Sequence, residues 1–257
     1  MLDFFILFNL VILLPILIFG LIISKINTYV SEKLHTKSKW WIYTVCSAIG
    51  TPIHELSHLI TNLLFGHKIK SVALFRPIKS KEDGVLGYVN FTYNPNSIYH
   101  NIGLFVTGIA PMIGGSIALF FLMKFLLPDV YVALEYFEMN TLNIIEVFNN
   151  IKINMFENIE LIFTNYGKIE NLIIFLILAF SISTHMNIST ADLKSALEGV
   201  IVLEVILAII SIMLKVFELT FLTKYLLIVS SYLMSFLLLG LIFSIISIVI
   251  AFLISLF

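Results

Sequence analysis

The stretch Gly50-Thr51-Pro52-Ile53-His54-Glu55-Leu56-Ser57-His58-Leu59-Ile60 places two imidazoles and a carboxylate inside a run of apolar residues. On a helix, positions i and i+4 share a face, so His54 and His58 can aim ring nitrogens at one cation while Glu55 flanks it. With six histidines in the chain, the pattern is expected by chance on the order of 0.01 times. A charged side chain at the centre of a membrane helix costs about 2.5–3.5 kcal/mol on insertion scales. Three ionisable groups this close together therefore call for a shared partner, and Zn2+ is the expected one. Two zinc ligands with a carboxylate beside them are the equipment for peptide hydrolysis. Pro52 cannot donate to the Ala48 carbonyl and so loosens the helix one turn before His54, although an ordinary membrane-helix kink needs no more than that.

Outward from this stretch, composition sets the class. The chain has 257 residues, 60% hydrophobic and 12% charged, with a mean hydropathy of +1.04. Soluble domains have about 45–50% apolar and about 25% charged residues, so an integral membrane protein is expected. The apolar blocks fall at about 4–24, 41–66, 99–127, 171–187, 190–214 and 222–257. The expected fold class is mainly α: a polytopic transmembrane helical protein of about six spans with a membrane-associated β-hairpin. One domain over 1–257 is expected, with its core at about 41–214. The first block carries Asp3 where a cleavable signal would be positive, which reads as a retained helix. In the last block Gly240 marks either a tight hairpin or the middle of one tilted helix.

The segment 67–96 alternates apolar and polar residues on both sides of Asp83-Gly84, with Ile69, Val72 and Leu74 before it and Val85, Leu86, Tyr88 and Phe91 after it. That is a hairpin signal. Residues 128–170 carry seven acids against two lysines and read as an interfacial or extramembrane helix pair. Four lysines at 25–39 oppose five basic residues at 67–96, so the positive-inside rule assigns no orientation. Net charge is −1 and Arg76 is the single arginine, which excludes a basic patch and with it a nucleic-acid partner. Cys46, the one cysteine, forms no internal disulfide and reads as a core residue. The low arginine and high isoleucine, asparagine and lysine content fits an AT-rich genome, so a bacterial cell membrane is the expected location.

Catalytic zinc takes three protein ligands and leaves one position open. The ionisable candidates in the later blocks are His185, Asp192, Glu198 and Glu204. Asp192 also has a role without metal, because Ser189-x-x-Asp192 has capping-box spacing. His67 and His100 read as solvated loop histidines.

Beyond His54-Glu55-Leu56-Ser57-His58, three further segments carry a likeness. They are Leu63-Leu64-Phe65-Gly66-His67-Lys68-Ile69, then Leu86-Gly87-Tyr88-Val89, then Gly108-Ile109-Ala110-Pro111-Met112-Ile113-Gly114-Gly115. Together, over about 41–127, they resemble the site-2 protease family of intramembrane zinc metalloproteases. The resemblance implies a zinc endopeptidase acting on membrane-protein or membrane-peptide substrates within the bilayer, with Glu55 as the catalytic base. The family's Asn…Pro…Asp-Gly segment, whose aspartate completes the zinc sphere, corresponds here to Asn187…Asp192, with neither the proline nor the following glycine. It implies Asp192 as the third metal ligand beside His54 and His58, with His185 as the alternative and Asn187 as a substrate-positioning residue. Glu198 and Glu204 would point to a different membrane HExxH class. Two other readings stand beside this one. A zinc transporter also carries His-Glu-x-x-His within a span, but Leu59 stands where it would have a further glutamate. An inactive relative would bind metal and act as a membrane scaffold.

Overall fold

The computed structural model of the chain describes residues 4–35, 39–130, 144–164, 166–217 and 221–256. It is mainly helical with one small sheet. The helices are α1 (Phe4–Leu34), α2 (Trp40–Cys46), α3 (Gly50–Leu64), the short α4 (Ser80–Asp83), α5 (Ile98–Leu126), α6 (Ile144–Thr164), α7 (Ile169–Ser183), α8 (Thr190–Val216) and α9 (Phe221–Ser255). Strands β1 (Lys68–Ala73) and β2 (Tyr88–Thr92) pair antiparallel, with a bulge between Ile69 and Ser71.

Four helices, α1, α5, α8 and the 225–255 part of α9, are long and apolar enough to cross a membrane, and on that ground the chain is a membrane protein. At 1.5 Å per residue the 29 residues of α5 extend about 44 Å, past a hydrocarbon core of about 30 Å. The 15 residues of α3 and of α7 reach only about 22 Å. α5 is the central helix: 61% of its most apolar window is buried, against 22–39% for the other three. Phe105, Ile109, Met112, Leu119 and Met123 on α5 meet Leu7, Val11 and Ile16 of α1, Leu172, Phe175 and Ala179 of α7, and Leu233, Phe236 and Leu237 of α9. α8 packs on α5 as well and turns Leu197, Ile201, Val205, Ile209, Ile212 and Val216 outward. These sit three or four apart, the spacing of one helical face, as suits a surface toward lipid.

The apolar block at 41–66, continuous by hydropathy, is broken into α2 and α3 at Ser47–Ile49, and the break has a local cause. The starting amides of α3 find an acceptor outside the helix, since Gly50 N donates to Ser181 Oγ (3.0 Å) and Ile49 N lies 3.4 Å from it. Such amides lack an intrahelical partner. A side chain at Gly50 would put its Cβ 1.9 Å from the Ser181 carbonyl oxygen, so glycine is what lets α3 start against α7. In α1, Asn9–Leu13 forms a π-helical turn. Pro15 has no amide for the Val11 carbonyl, which favours a wider turn just before it.

The expected hairpin is present as a strand pair, but Asp83-Gly84 does not form its turn. These residues end α4, where Gly84 adopts φ 72° as the C-cap; glycine takes that left-handed position without the penalty of a Cβ. Asp83 accepts from Val85 N (2.9 Å) and from Arg76 Nη2 (2.7 Å), and these two bonds hold its carboxyl below the ordinary value. Its side chain therefore caps the loop locally instead of allowing the two-residue turn. Val85 and Leu86, read as strand residues, precede β2. Trp40 Nε1 donates to Ser80 Oγ (3.0 Å), fastening this connection to α2.

The last apolar block is one helix through Gly240, where an added Cβ would stand at ordinary contact distance from Ile23 and Ser183. Of the expected 128–170 helix pair, α6 is seen, while 131–143 lie outside the described residues.

Candidate metal centre

Four segments bring their polar groups to one point. α3 carries His54, Glu55 and His58; α8 carries Asp192 on its first turn; the connection 184–189 and the middle of α5 supply backbone carbonyls. His58 Nε2 lies 3.1 Å from His54 Nε2 and 3.2 Å from Asp192 Oδ1, and His54 Nε2 lies 4.0 Å from Asp192 Oδ2. The three residues form a group whose ligating atoms all fall within 4.8 Å of one another.

The other ring nitrogens explain how these atoms are aimed. His54 Nδ1 donates to the His185 carbonyl (2.9 Å) and His58 Nδ1 donates to the Thr107 carbonyl (3.0 Å). An imidazole whose Nδ1 carries the proton turns a lone pair out at Nε2, the arrangement that outer hydrogen bonds impose on metal-binding histidines. Two ring nitrogens and a carboxylate then face one another at 3.1–4.0 Å, a set that either a shared proton or a metal ion satisfies. Ligands at about 2.0–2.2 Å from a tetrahedral ion stand about 3.3–3.6 Å apart. The two shorter separations lie close to that range, the third, to the other carboxylate oxygen, is longer, and the group could hold a metal ion.

Asp192 does two jobs. Its Oδ2 accepts from Ser189 N (2.9 Å) while Ser189 Oγ accepts from Asp192 N (3.1 Å), a complete capping box. The same carboxylate presents Oδ1 to His58. The cap fixes the Asp192 side chain on the first turn of α8 before any metal is considered.

Glu55 is buried at 8% exposure and follows His54 directly on α3. Its Cγ lies where a Cβ on Gly87 would come within 2.6 Å, so the residue just before β2 rests directly on the Glu55 side chain. Leu86 beside it is buried, and its carbonyl accepts from Arg76 N (2.7 Å).

His185 reaches the site only through its backbone. Its ring is turned away: Nδ1 donates to the Ser181 carbonyl (3.0 Å), and Nε2 is buried with no partner among the described residues. Asn187 is half-buried on the same connection and makes no hydrogen bond among the described residues. Glu198 accepts from the Tyr93 hydroxyl (2.7 Å) and Glu204 from Asn9 Nδ2 (3.1 Å), so both serve contacts between elements away from His54 and His58.

His67, read as a solvated loop residue, is buried at 4% exposure. Its ring stacks on Phe91 (5.2 Å), donates from Nδ1 to Asn62 Oδ1 (2.6 Å), and sets Nε2 3.0 Å from the His100 carbonyl. Asn62 in turn donates to the His58 carbonyl (2.8 Å). These bonds, with the Tyr99 hydroxyl donating to the Leu64 carbonyl (2.5 Å), clamp the end of α3 to the sheet and to the start of α5.

The functional groups that residue-by-residue reading misses are the Thr107 and His185 carbonyls, since a backbone oxygen has no letter of its own. No family model, curated protein or solved structure matches the chain.

Proposed function

We propose that the chain is an intramembrane zinc metalloendopeptidase that cuts membrane proteins or peptides in or near their transmembrane segments. The observation that carries the reading is the meeting of His54, His58 and Asp192 from two helices, with Glu55, buried, the next residue after His54 on α3. His54 and His58 would hold the metal through Nε2 and Asp192 through a carboxylate oxygen. When bound, zinc supplies Lewis acidity, lowering the pKa of water towards about 7 and polarising a carbonyl. Glu55 takes a proton from the attacking water and delivers it to the amine as the peptide bond breaks. Gly87 holds that carboxylate's stem in place, and the two-stranded sheet that includes the adjoining β2 offers an outer edge on which an extended substrate segment can pair.

The setting supports action inside the bilayer. The connection 184–189 is irregular backbone, yet Ile188 N lies 3.4 Å from the carbonyl of Gly20, near the middle of α1. Non-helical backbone at membrane depth is tolerated where protein covers it, and Met186 and Ile188 are buried. Counting α7 and the α2–α3 pair as short crossings beside the four long helices, we take the chain to cross about six times, and its proposed location stays a bacterial cell membrane.

Purified protein in lipid vesicles, presented with a transmembrane peptide, tests the reading. Cleavage that stops on chelation and returns with Zn2+ is the expected result. Zinc uptake into the vesicles without cleavage would instead identify a transporter, and metal binding with neither would identify a scaffold. The Gly87 contact adds a second expectation. In Gly87→Ala the new Cβ faces both the Leu74 carbonyl (3.0 Å) and Glu55 Cγ (2.6 Å), and the side chain yields more readily than the backbone. A base misplaced by about 1 Å costs roughly 10²-fold in rate. Cleavage should therefore fall by about that factor with metal content unchanged, as peptide hydrolysis and metal analysis on the same sample will show.

A further inference from the structure

In a regular helix each carbonyl accepts the amide hydrogen four residues on. For Thr107 that residue is Pro111, inside α5 and buried, and proline has no amide hydrogen to give. The Thr107 carbonyl is nevertheless engaged: the donor is His58 Nδ1 at 3.0 Å. A polar backbone group buried without a partner is rare, so the gap left by Pro111 and the proton on His58 answer each other.

The turn of α5 that carries this carbonyl is pressed onto both helices of the metal centre. A Cβ on Gly108 would stand 2.4 Å from the Asp192 carbonyl oxygen, and one on Gly114 would stand 2.0 Å from Ser57 Oγ. Thr107, Pro111 and Gly114 recur at the spacing of one helical face, the face that meets α3. The second histidine is served by a parallel device. His54 donates to the carbonyl of His185, which lies past the end of α7 and so lacks a continuing helix to supply its donor.

We propose that Pro111 is a positioning residue for the metal centre: by lacking an amide hydrogen it leaves the Thr107 carbonyl to His58 Nδ1, which fixes the His58 tautomer with its Nε2 lone pair turned to His54 and Asp192. This rests on the metal reading above, and it treats the proline as more than a kink. The consequence is specific. Restoring an N–H at position 111 gives Thr107 its helical donor back, sets it in competition with His58 Nδ1 for that carbonyl, and lets the ring populate the Nε2–H form, which cannot ligate through Nε2.

The test is Zn2+ titration of the purified full chain in lipid, with the His58 ring nitrogens followed by 15N NMR. Pro111→Ala should bind Zn2+ about 10- to 100-fold more weakly, the usual cost of losing a partner behind a ligating histidine, and should show the changed His58 tautomer before metal is added. Placing lactic acid at position 111 gives an ester that lacks both the ring and the N–H, and affinity should return to the wild-type value. Equal affinity in Pro111→Ala and wild type overturns the proposal, as does an ester variant as weak as Pro111→Ala, because that result assigns the effect to the proline ring. If Pro111→Ala does not fold, glycolic acid at position 108 decides the matter. It keeps Pro111 and turns the Thr107 carbonyl into a weaker ester acceptor, so Zn2+ affinity should fall several-fold, and an unchanged affinity overturns the proposal. Failure of the wild-type chain to bind Zn2+ at all overturns the metal reading itself, a different result from any of these.

Discussion

Glu55→Gln is expected to bind zinc at the wild-type stoichiometry and to lose peptide cleavage by about 10²–10⁴-fold, the usual contribution of a positioned acid–base group. The two halves of this expectation have separate causes. The ligating atoms belong to His54, His58 and Asp192, and a glutamine has nearly the shape of the glutamate it replaces, so Gly87 still rests on its stem and the metal centre is untouched. The amide cannot take a proton from water and hand it on, so the chemical step is lost. Metal analysis and cleavage of a transmembrane peptide on one preparation check both halves. Cleavage at the wild-type rate would rule Glu55 out as the base, and loss of metal would make Glu55 part of the coordination sphere.

Metal content should also separate the candidate ligands nearly all-or-none. His54→Ala, His58→Ala and Asp192→Ala are each expected to fall from about one zinc per chain towards none, because a centre with three protein ligands loses most of its affinity with any one of them. His185→Ala should keep its zinc, since that residue offers a backbone carbonyl, which alanine retains, and its ring faces away from the site. The dual role of Asp192 requires a control. Loss of the capping box alone costs about 0.5–2 kcal/mol of stability, and Ser189→Ala removes the Ser189 half of the box while keeping the carboxylate. Ser189→Ala should therefore melt at a lower temperature with zinc intact, whereas Asp192→Ala should lose both. Zinc retained in Asp192→Ala would reduce Asp192 to a helix cap and remove it from the metal centre.

These expectations rest on features that differ in how far they reach along the chain. The i, i+4 pair His54 and His58, the Ser189–Asp192 capping box, and the long apolar runs of α1, α5, α8 and α9 are set by neighbours a few residues apart, and periodicity or hydropathy displays such features directly. Composition alone makes the chain a membrane protein, and the alternation around 67–96 foretells a strand pair. Local signals misled where a second local interaction competed. Asp83-Gly84 looks like a hairpin turn, but Asp83 is claimed by Val85 N and Arg76, so the pair closes α4 instead.

Everything that joins distant segments was decided by tertiary packing. The family resemblance put Asp192 ahead of His185, Glu198 and Glu204, but no local pattern brings any of them to His54 and His58. The close approach of α8 to α5 at Gly108 and Gly199 helps bring the Asp192 carboxylate to His58, and the Ser181–Gly50 contact helps set α7 so that the His185 carbonyl, 131 positions from His54 in sequence, receives its Nδ1 proton. The reason is physical. Helix periodicity and caps are short-range consequences of backbone geometry, whereas a metal centre needs three side chains aimed to within a fraction of an ångström. That aim is set here by backbone carbonyls and by glycines that let helices touch, groups whose function shows only once the helices are packed.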